Sequence, residues 1–552
     1  MSLIQRNKNP PPKTRQKKLK PATPSNDIYY IDENDLKSLL DKLPRKYCDN
    51  RLLWLSISDV LKGMDNYKAF ENFSMKSSKY NKEGNDTAWD SLRGNLNINY
   101  IISIINTETK NKIKYIQPTI SYTDIETIPC EQRVLTKEDL IDNRYLNIKK
   151  YIKKHTCLLV KSDTGTGKTT STANYMKDLK KVRIISIVSR ISLGEQQVKT
   201  FKEANIELKD YRNTFDSEDN VFIQLDSILK LQYDSFENCV IYLDEVNSLI
   251  QYLIDSTTLN TKRINIFAML SKIIKQSKIV IGTDADISTL TFKYFDKLRD
   301  NMQYIYNPFK NYNNIVVSQY KDEQEIIDKM KQQIKDKKYF LCAFDSKTRM
   351  EQVFEMILDS KQKNDFIKYS ADEGELTADL VKQWSNKYVL YTPRIIYGVD
   401  FNPPTKTDVF IISQCHTINC IQIAQQMTRC RNIKEVNFYF ANIHNQLKFK
   451  TVDDVKDYYE EFQSHYETIL NQYGHLTIDE DFKVKYNSTK FTELFYLHKL
   501  NENILRSNYI YHFIQTCKSK GMVIKIHENT YNSVNDKEAK AKAKKTQGWA
   551  DW

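Results

Sequence analysis

The residues best suited to chemistry begin with the run Ser162, Asp163, Thr164, Gly165, Thr166, Gly167, Lys168, Thr169, Thr170, which follows apolar Cys157 to Lys161 and precedes a helical pattern. If the apolar stretch is a buried strand and Lys168 opens a helix, backbone N–H groups and a helix N-terminus face one anion, forming a phosphate cradle. Lys168 would then reach the β- and γ-phosphates of a nucleotide, and Thr169 would ligate Mg²⁺. Downstream, Asp244 and Glu245 end the apolar run 239–243. Adjacent carboxylates at a strand end suit a Mg²⁺ partner, Asp244, and a group that orients or deprotonates an attacking water, Glu245. A third set, Gln425, Arg429 and Arg431, lies far along the chain. The two arginines, two residues apart, cannot fully share one helix face. One is expected to reach the γ-phosphate, the other to brace a carboxylate or a neighbouring phosphate.

These groups need a scaffold that brings them together. Strand-like runs at 182–189, 220–225, 239–245 and 278–286 alternate with helical segments, which argues a parallel α/β sheet with its chemistry at the carboxyl ends of the strands. A second set begins near Tyr339, with runs at 339–346, 387–401, 407–413 and 435–440 and helical patterns at 348–358 and 419–431. Two such domains imply a cleft between them. Beyond Asn445 the pattern is helical through 453–474 and 490–517, and 536–552 reads as a charged, frayed tail.

The chain of 552 residues has room for three to four domains. Its 83 Lys and Arg against 70 Asp and Glu give +13, which favours a polyanionic partner. Nine thinly spread cysteines argue for a reducing, intracellular compartment and against a disulfide framework. Cys415, His416, Cys420 and Cys430 lack paired C-x₂-C spacing, so no structural zinc is expected. With no run of 18 apolar residues and no signal peptide, no membrane association is expected either.

Residues 1–30 are basic and Pro-rich and are expected to be disordered. Residues 31–107 carry helical periodicity, with Trp54, Phe70, Phe73 and Trp89 as core candidates. Residues 108–138 read as a linker, followed by α/β domains at 139–308 and 309–445 and a helical extension at 446–552.

Two resemblances follow from these motifs. The phosphate loop, V-S-R-I-S-L (188–193), Q-L-D-S-I-L-K-L (224–231), L-D-E-V-N-S-L (243–249), T-D-A-D (283–286), Y-G-V-D-F (397–401) and Q-Q-M-T-R-C-R (425–431) resemble a superfamily 2 helicase. Ser162 in place of glycine fits the [AS]-x-x-G-x-G-K-T form of that loop. More narrowly, residues 140–445 are similar to herpesvirus-type replication origin-binding proteins and their giant-virus relatives. The resemblance implies two tandem RecA-like domains, ATP with Mg²⁺, and a DNA partner. It also implies that Arg190, Gln224 and Ser227 line a nucleic-acid track, that Thr283, Asp284 and Asp286 link hydrolysis to strand movement, and that Gly398 and Asp400 contact nucleotide and couple the domains. Asn247 stands where the superfamily often has His or Asp, which leaves open the usual contact between that position and the 283–286 motif. The Trp-bearing helix, the 68–80 segment and W-D-S at 89–91 resemble the helical domain C-terminal to the core of primases of large DNA viruses. Without the polymerase core that precedes it in that family, primer synthesis is not expected, and a separate primase subunit is the implied partner.

The leading expectation is an ATP-dependent helicase or translocase on single-stranded or forked DNA in viral-type replication, in a host cytoplasm, virus factory or nucleus. The alternatives are an RNA helicase, since nothing in these motifs distinguishes the sugar, and an origin-binding module whose ATP cycle alters affinity without unwinding.

Overall fold

A computed structural model describes residues 29–526, apart from 32, 65, 110–111, 117–119, 121–127, 153–155, 260–261, 297, 359, 371–373, 375–379, 394–400, 442–446, 462–475, 479–483 and 487–488. The basic stretch 1–28, the charged end 536–552, Gly398 and Asp400 lie outside the described residues. Contacts divide the chain into 1–121 and 122–552.

In the first unit, asparagines cap the starts of four helices: Asn50 before Arg51–Gly63, Asn66 before Tyr67–Ser74, Asn81 before Lys82–Ser91, and Asn97 before Ile98–Glu108. Each side chain accepts a backbone N–H that the helix cannot satisfy itself, worth about 1 kcal/mol per cap. Helix Glu33–Asp41 adds Leu36, Leu39 and Leu40 to a core containing Phe70, Phe73 and Trp89, against which Trp54 packs. Trp54 donates Nε1–H to Ser74 Oγ at 2.9 Å, so this aromatic group is core. The loop 94–96 is tied to the long helix by Asp59, whose carboxylate accepts from the amides of Gly94, Asn95 and Leu96. Gly94, at φ +68°, comes so close to Gly63 that an added Cβ would lie 2.8 Å from its backbone.

The second unit holds two parallel sheets, as the alternation of strand-like and helical runs implies. Its strands are β1 (Glu131–Val134), β2 (Cys157–Ser162), β3 (Arg183–Val188), β4 (Lys209–Asp210), β5 (Val221–Gln224), β6 (Cys239–Asp244), β7 (Ile279–Asp284), β8 (Met302–Asn307), β9 (Val316–Gln319), β10 (Phe340–Phe344), β11 (Phe366–Tyr369), β12 (Tyr388–Tyr391), β13 (Thr407–Ser413), β14 (Ile433–Phe440), β15 (Leu476–Ile478), β16 (Val484–Tyr486) and β17 (Val523–Ile526). The first sheet has the order β1-β8-β2-β7-β6-β3-β5-β4, the second β11-β12-β10-β13-β14-β9-β17, and β15 and β16 form an antiparallel pair. The central strands read as unbroken apolar runs because helices cover both faces. β2 and β6 are buried almost throughout. In register, β7 lies between β2 and β6, with Thr283 opposite Val160 and Asp244. The phosphate loop, the acidic pair and the T-D-A-D turn therefore leave three adjacent strands at the same edge.

Three expectations give way. The stretch read as a linker up to residue 138 already contains β1, which pairs with β8. The helical pattern at 490–517 is two helices, Lys490–Ser507 and Tyr509–Ser519, broken at Asn508. The C-terminal extension is also not purely helical, because β17 pairs with β9 and completes an edge of the second sheet. Cys415, Cys420 and Cys430 are buried thiols, and burial pushes Cys415 up to about 12. Among the described residues no group of three or more His, Cys, Asp or Glu is placed to hold a metal ion, and no helix is long and apolar enough to cross a membrane.

Candidate active site

The phosphate loop turns tightly at Gly165 and Gly167, both at φ +72°, a conformation that side chains with a Cβ rarely adopt. A Cβ on Gly165 would also stand 2.9 Å from the Arg144 guanidinium, which donates to the Gly165 carbonyl. Inside the loop, Ser162 Oγ and Thr166 Oγ1 are 2.6 Å apart and Thr166 donates to the Asp163 carbonyl. Ser162 thus braces the loop where other phosphate loops have glycine. Helix Lys168–Met176 starts directly after it, with Gly167 as N-cap. Lys168 Nζ lies over its own loop, donating to the carbonyls of Ser162 and Asp163 at 2.9 and 3.0 Å. Burial pulls Lys168 below the usual lysine value, so an arriving polyphosphate would find a poorly solvated cation.

Asp244 is held from several directions. Its carboxylate accepts from Thr169 Oγ1 at 3.1 Å, Thr283 Oγ1 at 2.9 Å and Gln197 Nε2 at 3.2 Å. Thr169 and Asp244 together form the hydroxyl-plus-carboxylate donor pair that suits Mg²⁺ beside a polyphosphate. Gln197, from helix Ile191–Glu203, is held in turn by Ser186. It is a site residue the sequence did not reveal, since a lone glutamine in an amphipathic helix carries no spacing signal.

Glu245 adopts φ +51°, ψ +48° at the N-cap of helix Val246–Asp255. Such backbone costs a residue with a Cβ roughly 1–3 kcal/mol and clusters at functional sites. Burial, reinforced by Asp284 and Asp244 and opposed by Arg429, raises Glu245 to about 7. Burial and the neighbouring Asp286 raise Asp284 to about 6. Glu245 Oε2 and Gln425 Oε1 are buried and have no hydrogen-bond partner among the described residues. Both residues line a cleft of about 220 Å³. Two unfilled acceptors in a polar cleft are what an attacking water requires.

The same cleft is lined by Thr164, Gly165, Thr169 and Thr170 from the first sheet and by Gln425, Thr428, Arg429 and Arg431 from the second. Helix Cys420–Met427 ends before the arginines, so helix-face geometry does not apply to them. Both enter the cleft from the turn between that helix and β14. Arg429 is buried, with Nη2 3.8 Å from Glu245 Oε1, while Arg431 donates to Tyr312 OH at 3.4 Å and to the Thr428 carbonyl. Tyr312, between β8 and β9, lies 3.1 Å from Thr164 Oγ1 and donates to the Thr428 carbonyl at 2.8 Å. One phenol therefore spans the phosphate loop and the arginine turn.

Thr283, Asp284 and Asp286, expected to link hydrolysis to strand movement, lie on this nucleotide side. Thr283 is bonded to Asp244, and Asp284 and Asp286 line the cleft. Asn247 keeps the expected link by another route: its backbone N–H donates to Asp284 at 2.9 Å, and its side-chain oxygen accepts from Ser288 and Thr291 just past the motif. Arg190, Gln224 and Ser227 lie where β3 and β5 end, and Gln224 Nε2 donates to the Ser189 carbonyl at 3.3 Å, joining the two loops.

Residues 132–267 match the family Type III restriction enzyme, res subunit, and residues 36–104 match Primase C terminal 2. The chain is 23% identical over 401 residues to R8, an uncharacterized protein of Acanthamoeba polyphaga mimivirus named as a helicase; the match takes in 65% of this chain and 37% of that protein. This chain thus spans well under half of that relative's length. Among solved structures, the helicase Lhr of Mycobacterium smegmatis bound to single-stranded DNA and AMP-PNP has a TM-score of 0.39 at 12% identity, covering 56% of this chain and 46% of Lhr. The helicase MrfA bound to DNA has a TM-score of 0.41 at 14% identity, covering 62% of this chain and 56% of MrfA. The chain therefore carries, in order, a region that matches Primase C terminal 2 and a region that matches the Type III restriction enzyme, res subunit, family.

Proposed function

We propose that the chain hydrolyses ATP to move along and separate DNA strands in viral-type replication, with its N-terminal unit as the bridge to a separately encoded primase. The observation that carries this reading is the shared cleft, in which the phosphate loop and acidic pair of one sheet face Gln425, Arg429 and Arg431 of the other. A site assembled from two domains couples hydrolysis to their relative movement, which a simple nucleotide-binding fold cannot do. Thr169 and Asp244 would hold Mg²⁺, whose charge neutralises the β- and γ-oxygens. Glu245 takes the proton of the attacking water, and the arginines stabilise charge developing on the γ-phosphoryl group. The primase-type domain favours DNA over RNA, and the motor's resemblance to origin-binding proteins extends the reading to replication origins inside an infected cell.

The test is the ATPase rate with single-stranded DNA, duplex DNA and RNA of equal length. Stimulation by DNA supports the proposal, and stimulation by RNA alone overturns its substrate. Affinity for single-stranded DNA should also fall steeply as salt rises, with a log–log slope near −0.7 per phosphate neutralised. A salt-independent affinity would contradict a basic track.

Removing residues 1–121 should leave a folded, DNA-stimulated ATPase that no longer binds a primase subunit in a pull-down with purified components. If the remaining 122–552 folds yet hydrolyses no ATP, the first unit is part of the motor.

A further inference from the structure

The segment after residue 489 was expected to be a helical extension without a readable role. Its first helix, Lys490–Ser507, packs on the first domain. Lys499 pairs with Asp255 at 2.6 Å, Lys490 donates to the Asp296 carbonyl, and Phe491 meets Phe267 edge to face at 5.3 Å. Its last strand, β17, belongs to the second sheet. The segment therefore straps both halves of the motor.

Between these anchors, helix Tyr509–Ser519 ends in a tight turn. Met522 N–H donates to the Cys517 carbonyl, and Gly521 sits at φ +81°, the closing geometry that glycine accepts most readily. Gly521 is pressed against the segment joining the two sheets. Its carbonyl accepts from Asn314, and a Cβ there would lie 2.8 Å from Asn313 Oδ1. This turn aims Lys520 into the nucleotide cleft. Its side chain is only 7% exposed, and Nζ lies 3.4 and 3.3 Å from the two oxygens of Asp286, the last residue of T-D-A-D. Burial opposes the charge on Lys520, but Asp286 and Asp163 outweigh it and hold the ammonium well above the ordinary lysine value. Asp286 itself is kept low despite burial, chiefly by Lys520.

We propose that Lys520 is a positioning residue of the motor: through Asp286 it ties the turn after β7, whose Thr283 and Asp284 act on Asp244 and Glu245, to the second sheet and the C-terminal strap. The nucleotide cleft is then completed by three parts of the chain. Relative movement of the sheets reaches the acidic pair through this ion pair as well as through the arginines. The inference rests on the cleft being the ATP site.

The experiment compares full-length Lys520→Met, Lys520→Arg, Asp286→Asn and the double variant Lys520→Met with Asp286→Asn. It measures steady-state hydrolysis with saturating single-stranded DNA, equilibrium binding of a fluorescent ATP analogue, and thermal unfolding. Lys520→Met should lower kcat by about tenfold while moving KM for ATP by less than about twofold, and Lys520→Arg should recover most of the rate. The double variant should be no slower than Asp286→Asn, because both changes break one contact. Parental turnover in Lys520→Met, or losses that multiply in the double variant, would overturn the proposal. A loss of analogue binding matching the loss of rate would do so too, since it would make Lys520 a phosphate ligand. If Lys520→Met does not fold, Lys520→Arg and Asp286→Asn decide: unchanged kcat in Asp286→Asn sinks the ion pair. A parent that hydrolyses ATP while these variants behave like it refutes only this inference. A parent that neither binds nor hydrolyses ATP refutes the reading of the cleft on which it rests.

Discussion

Arg431→Ala should lower ATP turnover by about 10³ or more while leaving the affinity for an ATP analogue nearly intact, the lower range of what a trans-acting arginine supplies in phosphoryl transfer. Such a cation stabilises charge that builds on the γ-phosphoryl group more than charge in the ground state, so its loss falls on kcat. Arg431 is the better placed of the pair: it is anchored by Tyr312 and the Thr428 carbonyl, and it is one of the charges that act on Lys168. Arg429 lies beside Glu245 instead. Arg429→Ala should therefore also be slow, but for a different reason. Without the guanidinium the Glu245 carboxyl rises further, and part of the lost rate should return as pH is raised. Lys168→Ala contrasts with both, because it weakens ATP binding itself. Binding titrations paired with steady-state rates separate the three. Parental turnover in both arginine variants would mean that the second domain does not complete the site.

Glu245→Gln should bind ATP and single-stranded DNA but lose hydrolysis by about 10² to 10⁴, the usual worth of a positioned general base. The amide keeps the shape of the side chain and removes its capacity to take a proton. Because burial raises Glu245 to about 7, the group is protonated and idle below that pH and ionised above it. kcat/KM of the parent should accordingly rise as pH increases through about 7, and the limb should be absent from the residual activity of Glu245→Gln. A profile flat from pH 6 to 8 would place the base elsewhere.

Much of this site could be read from the sequence because its parts sit at the ends of buried parallel strands. β2, β6 and β7 are apolar runs, and the residues at and just past their ends are the chemistry-bearing ones. What escaped is governed by pairing rather than by hydrophobicity. β1, with four exposed residues, and β17, with alternating burial, are sheet edges paired with a single neighbour, and four residues of such a strand carry no clear period. The helical pattern at 419–431 takes in both arginines, yet the helix stops at Met427 and a turn delivers them. The resemblance implies for Thr283 and Asp284 a link between hydrolysis and strand movement but not where they sit, whereas the register of β7 between β2 and β6 puts Thr283 opposite Asp244 and Asp284 opposite Lys161. Lys520 had no signal at all: it is one lysine in a polar stretch, and its partner Asp286 is 234 residues away. The pairing of β17 with β9 and the contact of Gly521 with Asn314 make that distance short.

The proposed motor uses ATP to separate DNA strands. The most direct measurement is strand displacement from a forked DNA duplex by the full-length chain, with ATP, with a non-hydrolysable analogue, and with Glu245→Gln in place of the parent. Displacement is expected only from the parent with ATP. Displacement that proceeds equally with the analogue or with Glu245→Gln, or ATP hydrolysis stimulated by DNA with no strand ever released, would contradict it.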